Sequence, residues 1–208
     1  MSRIRIRAIR AENKDSLLSC MKAVFCSPGG DTIFQDLGLG LRETHSLLRV
    51  VGAKAVRDRY SFAAFDSSDR MLGFAVNQDL STALAYSAED FGEDLHSFFA
   101  FRELLLSRAG LTTPLPFAHF HLSYLGVVPE FRRQGFAKEL VRHSLELAKQ
   151  FQFADMLVEG PDARAQSLFF TLGFQTILSM SYDTLSSLNH RKAALGQSCN
   201  LMQLTLKS

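Results

Sequence analysis

The chain has 208 residues, 47% of them apolar and 21% charged, with a formal net charge of +2. These proportions suit a globular chain long enough to bury its own core. A near-balanced charge excludes a broad polyanion-binding surface, so nucleic acid is not an expected partner. No apolar run reaches the length of a membrane span. The opening "MSRIRIRAIR" alternates arginine with apolar residues and lacks the apolar block of a secretory signal. A cytoplasmic protein without membrane attachment is expected. Cys20, Cys26 and Cys199 are an odd, scattered set without metal-ligand spacing, which predicts free thiols and no metal site.

In chain order, Arg3 to Ile9 alternates with a period of two and predicts a strand. Leu17, Leu18, Met21 and Phe25 share one face of the helix that follows, and "SPGG" ends it. Asp31 to Val56 reads as mostly helical, broken near Gly38 and Gly40. "YSFAAFD", the turn "SSDR" and "MLGFAVNQ" predict a hairpin. Residues 80–115 read as a helical insertion rich in phenylalanine, closed by Pro114 and Pro116.

The second half is more regular. "FAHFHLSYLGVV" predicts a strand, and Ala137 to Phe151 a helix whose inward face is Ala137, Leu140, Val141, Ser144, Leu145 and Ala148. "ADMLVEG" reads as a buried strand, "ARAQSLFFTLG" as a helix, and "FQTILSMSY" and "NLMQLTLK" as closing strands. Strands separated by helices predict an α/β domain with part of its sheet parallel.

Between the long strand and its helix lies "RRQGFA", Arg132 to Ala137. The first N–H groups of a helix have no intrahelical acceptor, and the positive end of the helix dipole favours an anion there. Gly135 and Ala137 leave room for one, while Arg132 and Arg133 add charge. A lone glycine would indicate only a surface turn; a strand, this turn and a clean amphipathic helix in that order point to an anion site. The sequence has no G-x-x-x-x-G-K-[ST], so a P-loop is not expected.

The stretch "LGVVPEFRRQGFAKELVRHSLELA" resembles the acyl-CoA-binding motif [R/Q]-x-x-G-x-[G/A] of the GNAT superfamily of N-acyltransferases, and "LGF" at 172–174 resembles another feature of it. The insertion and the tail are similar to the arylalkylamine N-acetyltransferase group, especially its invertebrate type. The resemblance implies one domain over residues 1–208, with a central mixed twisted sheet of six to seven strands flanked by helices on both faces. It also implies acetyl-CoA as cosubstrate, a small-molecule amine as partner, and a monomer or homodimer. Pyrophosphate would lie on Arg132, Arg133, Gln134, Gly135, Phe136 and Ala137, with pantetheine along Leu125 to Val127 and near Phe169. The N–H near Leu125 would face the thioester oxygen.

The residues for proton transfer are less plainly written. Alternation predicts His119, His121 and Ser123 on one side of the strand, with Phe120, Leu122 and Tyr124 on the other. The His-x-His pair of vertebrate-type relatives aligns with His121 and Ser123, making His121 a candidate base or water-holder. Glu159 is a second candidate base, and Tyr182 or Tyr124 could supply a hydroxyl. A structural role competes in each case. The departures are a family glutamate replaced by Gly29, with Asp31 or Asp36 as substitutes; two family serines replaced by Asp162 and Ala165; and a family tyrosine replaced by Phe169. His143 is expected on the solvated helix face. The missing glutamate and tyrosine leave open an acyl-CoA-binding sensor or scaffold with weak chemistry. A protein or peptide N-acetyltransferase is a third reading, weakened because the long insertion would crowd an extended peptide.

Overall fold

A computed structural model of the protein describes residues 4–27, 34, 39–83, 93–184 and 198–206. Strand β1 (Arg5–Ala8) leads into helix α1 (Lys14–Phe25), then α2 (Leu41–Asp58). The hairpin β2 (Phe62–Phe65) and β3 (Met71–Asp79) follows, then a single turn α3 (Leu80–Ala83) and the insertion helix α4 (Glu93–Arg108). The second half is β4 (His119–Val127), α5 (Phe136–Gln150), β5 (Asp155–Gly160), α6 (Ala163–Thr171), β6 (Gln175–Ser181) and β7 (Ser198–Thr205).

The seven strands form one sheet in the order β1-β2-β3-β4-β5-β7-β6. Only β4 and β5 pair in parallel, joined by the α5 crossover; the other neighbours are antiparallel. Helices cover both faces, as the resemblance implied. On one face α1, α2 and α4 bury Leu17, Met21, Leu47, Leu48, Leu105 and Leu106 against Phe74 and Leu157. On the other, Leu140, Val141 and Ala148 of α5 and Phe169 of α6 close over Phe120, Met156 and Val158.

Local chemistry sets the ends of these elements. Asp66 Oδ1 accepts from the N–H groups of Ser68 and Arg70, folding the β2–β3 turn. The carboxylate of Asp162 accepts from Ala165 N–H at 2.7 Å and caps α6, a bond type that contributes about 1 kcal/mol. Gly135 caps α5 with φ 86°. Helix α5 begins at Phe136, one residue earlier than expected, and Phe136 is buried against Leu72 and Val127 while Leu145 is only half-buried.

Two expectations need correction. Val76 pairs with Tyr124 and Asn77 with Leu122, so β4 carries one extra residue, Ser123. Such a bulge resets the alternation of side chains. Tyr124 therefore joins the α1–α4 face, in contact with Phe34, while Phe120 and Leu122 lie under α5. His143 is half-buried rather than solvated, with Nδ1 3.0 Å from Glu139 O and its ring against Phe62. Gly29, Asp31 and Asp36 lie outside the described residues.

Candidate active site

The β4–β5 ladder stops early. His119 to Leu122 pair with Asp155 to Val158, and beyond them Glu159 and Gly160 pair only with β7. The bulge bends β4 at the same point, and the strands part. Between them opens a cleft of about 650 Å³.

One end of the cleft is built for an anion. The N–H groups of Gln134, Gly135, Phe136 and Ala137 find no acceptor among the described residues. Left-handed backbone at Arg133 (φ 60°) and Gly135 (φ 86°) makes this turn. A Cβ built on Gly135 would meet nothing within 4 Å, so the space before these donors is open. Arg132, Arg133, Lys138 and Arg164 line that end, the last beside Asp162 at 3.6 Å. Consecutive free N–H groups at a helix start, with cations around them, fit a pyrophosphate.

The wall of the cleft is β4. Val128 N–H donates to Leu72 O at 2.9 Å. In an antiparallel ladder alternate residues face the partner strand, so Leu125 and Val127 turn their backbone groups toward the side that β5 has left. Val127 O accepts from Arg132 Nε at 3.1 Å, tying the turn to the wall. The N–H of Leu125 faces the cleft just past the bulge.

The floor is polar. Arg102 of α4 donates from Nε to Glu159 Oε1 at 2.8 Å, and its Nη2 lies 3.2 Å from His121 Nδ1. Gln78 Nε2 is also 3.2 Å from Nδ1, and His121 Nε2 lies 3.3 Å from Glu159 Oε1 without the geometry of a hydrogen bond. A guanidinium can only donate, so Nδ1 carries the lone pair and the proton sits on Nε2. Burial, the largest influence, lowers the His121 pKa, and the imidazole is neutral. For Glu159 burial alone would raise the carboxyl, but Arg102 and His121 outweigh it and hold it at about 2. Tyr182 donates to Pro161 O at 3.0 Å and stacks on Phe101. Burial pushes the Tyr182 hydroxyl up, with Cys199 and Glu159 adding to it. Burial likewise pushes the Cys199 thiol up to about 12.

Of the residues singled out from the sequence, Ser123, Leu125, Val127, Arg132, Arg133, Gly135, Phe136, Ala137, Glu159, Phe169 and Tyr182 all line this cleft. Gln134 and His121 do not line it: the Gln134 side chain is exposed to solvent, and His121 is fully buried, 3.3 Å from Glu159. His119 is away from the cleft, 2.7 Å from Asp155 at the closed end of the β4–β5 pair. Sequence reasoning missed Arg102, Lys138, Arg164 and Cys199. The one available signal for Arg102 was a lone cation among Phe98, Phe99, Phe101 and Leu105 in an apolar helix. No described group of three or more His, Cys, Asp or Glu could hold a metal ion, and no described helix is long and apolar enough to cross a membrane.

Comparisons place this architecture. The chain is similar in fold to the C-terminal condensation domain of Ebony in complex with beta-alanyl-dopamine, with TM-score 0.79, 18% identity, and coverage of 99% of this chain and 100% of that one. Arylalkylamine N-acetyltransferase 2 from Aedes aegypti gives TM-score 0.72 and 22% identity over 98% of this chain and 99% of that one. A Drosophila melanogaster polyamine N-acetyltransferase that forms N-acetylagmatine gives 0.70 and 15% over 98% and 100%. No curated protein sequence matches the chain. The sequence profile described as acetyltransferase (GNAT) family matches residues 56–174, more than half of the chain and the span from the end of α2 to the start of β6. With the splayed strands and the open turn at Gly135, that match settles its kinship: the chain belongs to the GNAT family of acetyltransferases.

Proposed function

We propose that the protein transfers an acetyl group from acetyl-CoA to the primary amine of a small molecule with an apolar or aromatic body, such as an arylalkylamine. The observation that carries this is the continuity of the cleft. It joins the free N–H groups and cations of the Gly135 turn to an apolar chamber floored by Glu159. Arg132, Arg133 and the amides to Ala137 would hold pyrophosphate, and the open edge of β4 would pair with pantetheine. The N–H of Leu125 would donate to the thioester oxygen as charge develops there, an interaction that can contribute about 3 kcal/mol.

Direct attack fits the site. The amine forms its bond to the acyl carbon as the C–S bond breaks; the amine proton leaves through water and the departing thiolate takes one up. A covalent route through cysteine would need a thiolate, but Cys199 is a buried thiol with its pKa near 12, as is Cys20. Glu159, held at about 2, is too weak a base to strip an ammonium. It serves as a hydrogen-bond acceptor for the bound amine, with His121 fixing it from behind. Positioning supplies much of the acceleration.

The chamber beyond Leu125 favours the apolar acceptor. Phe25, Phe34, Phe98, Phe101, Leu105 and Tyr124 line it, and Glu159 and Asp162 are the only carboxylates among the described lining residues. A polyamine's second cation would find Asp162 already capping α6. The test is CoA-thiol release with acetyl-CoA across phenylethylamines, polyamines and peptides. Turnover fastest on the aromatic monoamines is expected. Tight CoA binding with no turnover on any amine would replace this reading with an acyl-CoA sensor.

A further inference from the structure

The insertion helix does more than roof the cleft. Arg102, only 11% exposed, spans from α4 to β5 and β4, touching Glu159 Oε1 and His121 Nδ1 together. We infer that Arg102 is a positioning residue that makes the cleft floor electrically neutral, so that the site takes up its acceptor as the free amine rather than as the ammonium ion. This rests on the acyl-transfer reading above and extends it to the protonation state of the substrate.

The formal charges on the floor cancel. Glu159 brings one negative charge to the floor and Arg102 one positive. His121 adds none, because two donors, Arg102 and Gln78, occupy the only nitrogen that could accept a further proton. The other charged group bearing on His121 is Lys54 of α2, and it is ion-paired to Asp58. From the residue after β6 and from β7, Tyr182 and Cys199 face Glu159, and both stay protonated. His119 and Asp155, next along β4 and β5, pair with each other. Asp162, the other described carboxylate of the cleft, caps α6 and lies 3.6 Å from Arg164. An ammonium entering the apolar chamber would therefore shed water and, among the described residues, meet no net countercharge, which is unfavourable. A free amine gives up far less, and it is the form that can attack. Without Arg102, Glu159 becomes an unpaired buried anion: it would trap the ammonium and raise the affinity of His121 for a proton.

The variant Arg102→Met tests this on the full chain. Histidine resonances, with His121→Asn identifying the one in question, report the charge of His121 without any substrate. Initial rates report kcat and KM for the amine across pH. In the wild type His121 should stay neutral to the lowest pH at which the protein is folded, whereas in Arg102→Met it should titrate at higher pH. In the variant, KM for the amine near pH 6 should fall while kcat falls, each by about tenfold for every unit by which the pKa of the bound amine is raised. Arg102→Lys, keeping the charge, should return KM toward the wild-type value. Arg102→Gln keeps a donor without charge; it should behave like Arg102→Met, and replaces it if that variant does not fold. Loss of kcat at every pH, with KM and the His121 titration unchanged, would reduce Arg102 to a structural strut and overturn the inference. Absence of amine turnover in the wild type would defeat the acyl-transfer reading instead, and the His121 titration would still decide whether Arg102 sets the charge of the floor.

Discussion

Ser123 Oγ donates to the backbone carbonyl of Val76 at 3.1 Å, across the point where β4 holds one residue more than β3. This hydrogen bond occupies an acceptor that the interrupted ladder would otherwise leave short. It holds the bulge that turns Tyr124 toward the cleft and Leu125 N–H toward the open edge. Replacing the hydroxyl removes one half-buried bond, so Ser123→Ala should cost about 1 kcal/mol of stability, read as a lower midpoint in urea. Deleting Ser123 is a different change. It would restore a regular ladder with Leu122 and Tyr124 still opposite Asn77 and Val76, but would remove the bend that carries β4 away from β5, and CoA binding measured by calorimetry should be lost. Unimpaired binding by the deletion variant would show that the bulge does not shape the cofactor wall.

At Gly135 the obstacle to substitution is the backbone rather than space. A methyl group there would touch nothing, but φ of 86° is left-handed. Gly135→Ala should therefore fold with a penalty of about 1–2 kcal/mol and bind CoA more weakly, because the turn relaxes and its amides lose their common direction. Gly135→Glu adds bulk and a negative charge before the same donors and should abolish binding. Equal CoA affinity in Gly135→Glu and wild type would remove the turn from the cofactor site.

How far these features could be read beforehand follows the range of the interactions. The turn at Gly135 is local: six consecutive residues and the helix they start carry it, and the structure places it in the expected strand-turn-helix order. The strands and helices were likewise legible from their periods. The direction of Tyr124 was not, because a bulge shows only when the lengths of two paired strands are compared. Arg102 meets Glu159 across 57 residues of sequence, and nothing near either residue announces the other. The full burial of His121 has the same origin, since α4 supplies the cover. Alternation alone could place His121 on the correct face of β4 but could not say what would lie against it.

Acid should weaken the fold through the same floor. The His121 pKa is lowered in the folded protein, so its stabilisation is present above the ordinary histidine value, 6.5, and declines as pH falls below it. Glu159 is lowered from 4.5 to about 2, so its contribution is full above 4.5 and is lost as pH falls toward 2. The second difference corresponds to roughly 3 kcal/mol. Urea midpoints measured from neutral pH to pH 3 should fall in both windows. The upper decline should be absent in His121→Asn and the lower one in Glu159→Gln, each compared with its own neutral-pH value. A wild-type midpoint constant from pH 7 to 4 would contradict the neutral, proton-poor state of His121.

Cys199 gives the sharpest test of direct transfer, since it is the only thiol among the described residues lining the cleft. Burial and the nearby Glu159 carboxylate hold it protonated, and a thiol with a pKa near 12 offers almost no nucleophile at neutral pH. Cys199→Ala should keep turnover within about threefold of wild type, the size of change expected from a small loss of packing rather than loss of a reacting group. Intact-mass analysis of wild type mixed with acetyl-CoA and no amine should show the unmodified chain. An acetyl adduct that maps to Cys199 and is discharged by added amine would establish a covalent route, and the order of steps proposed above would have to be replaced.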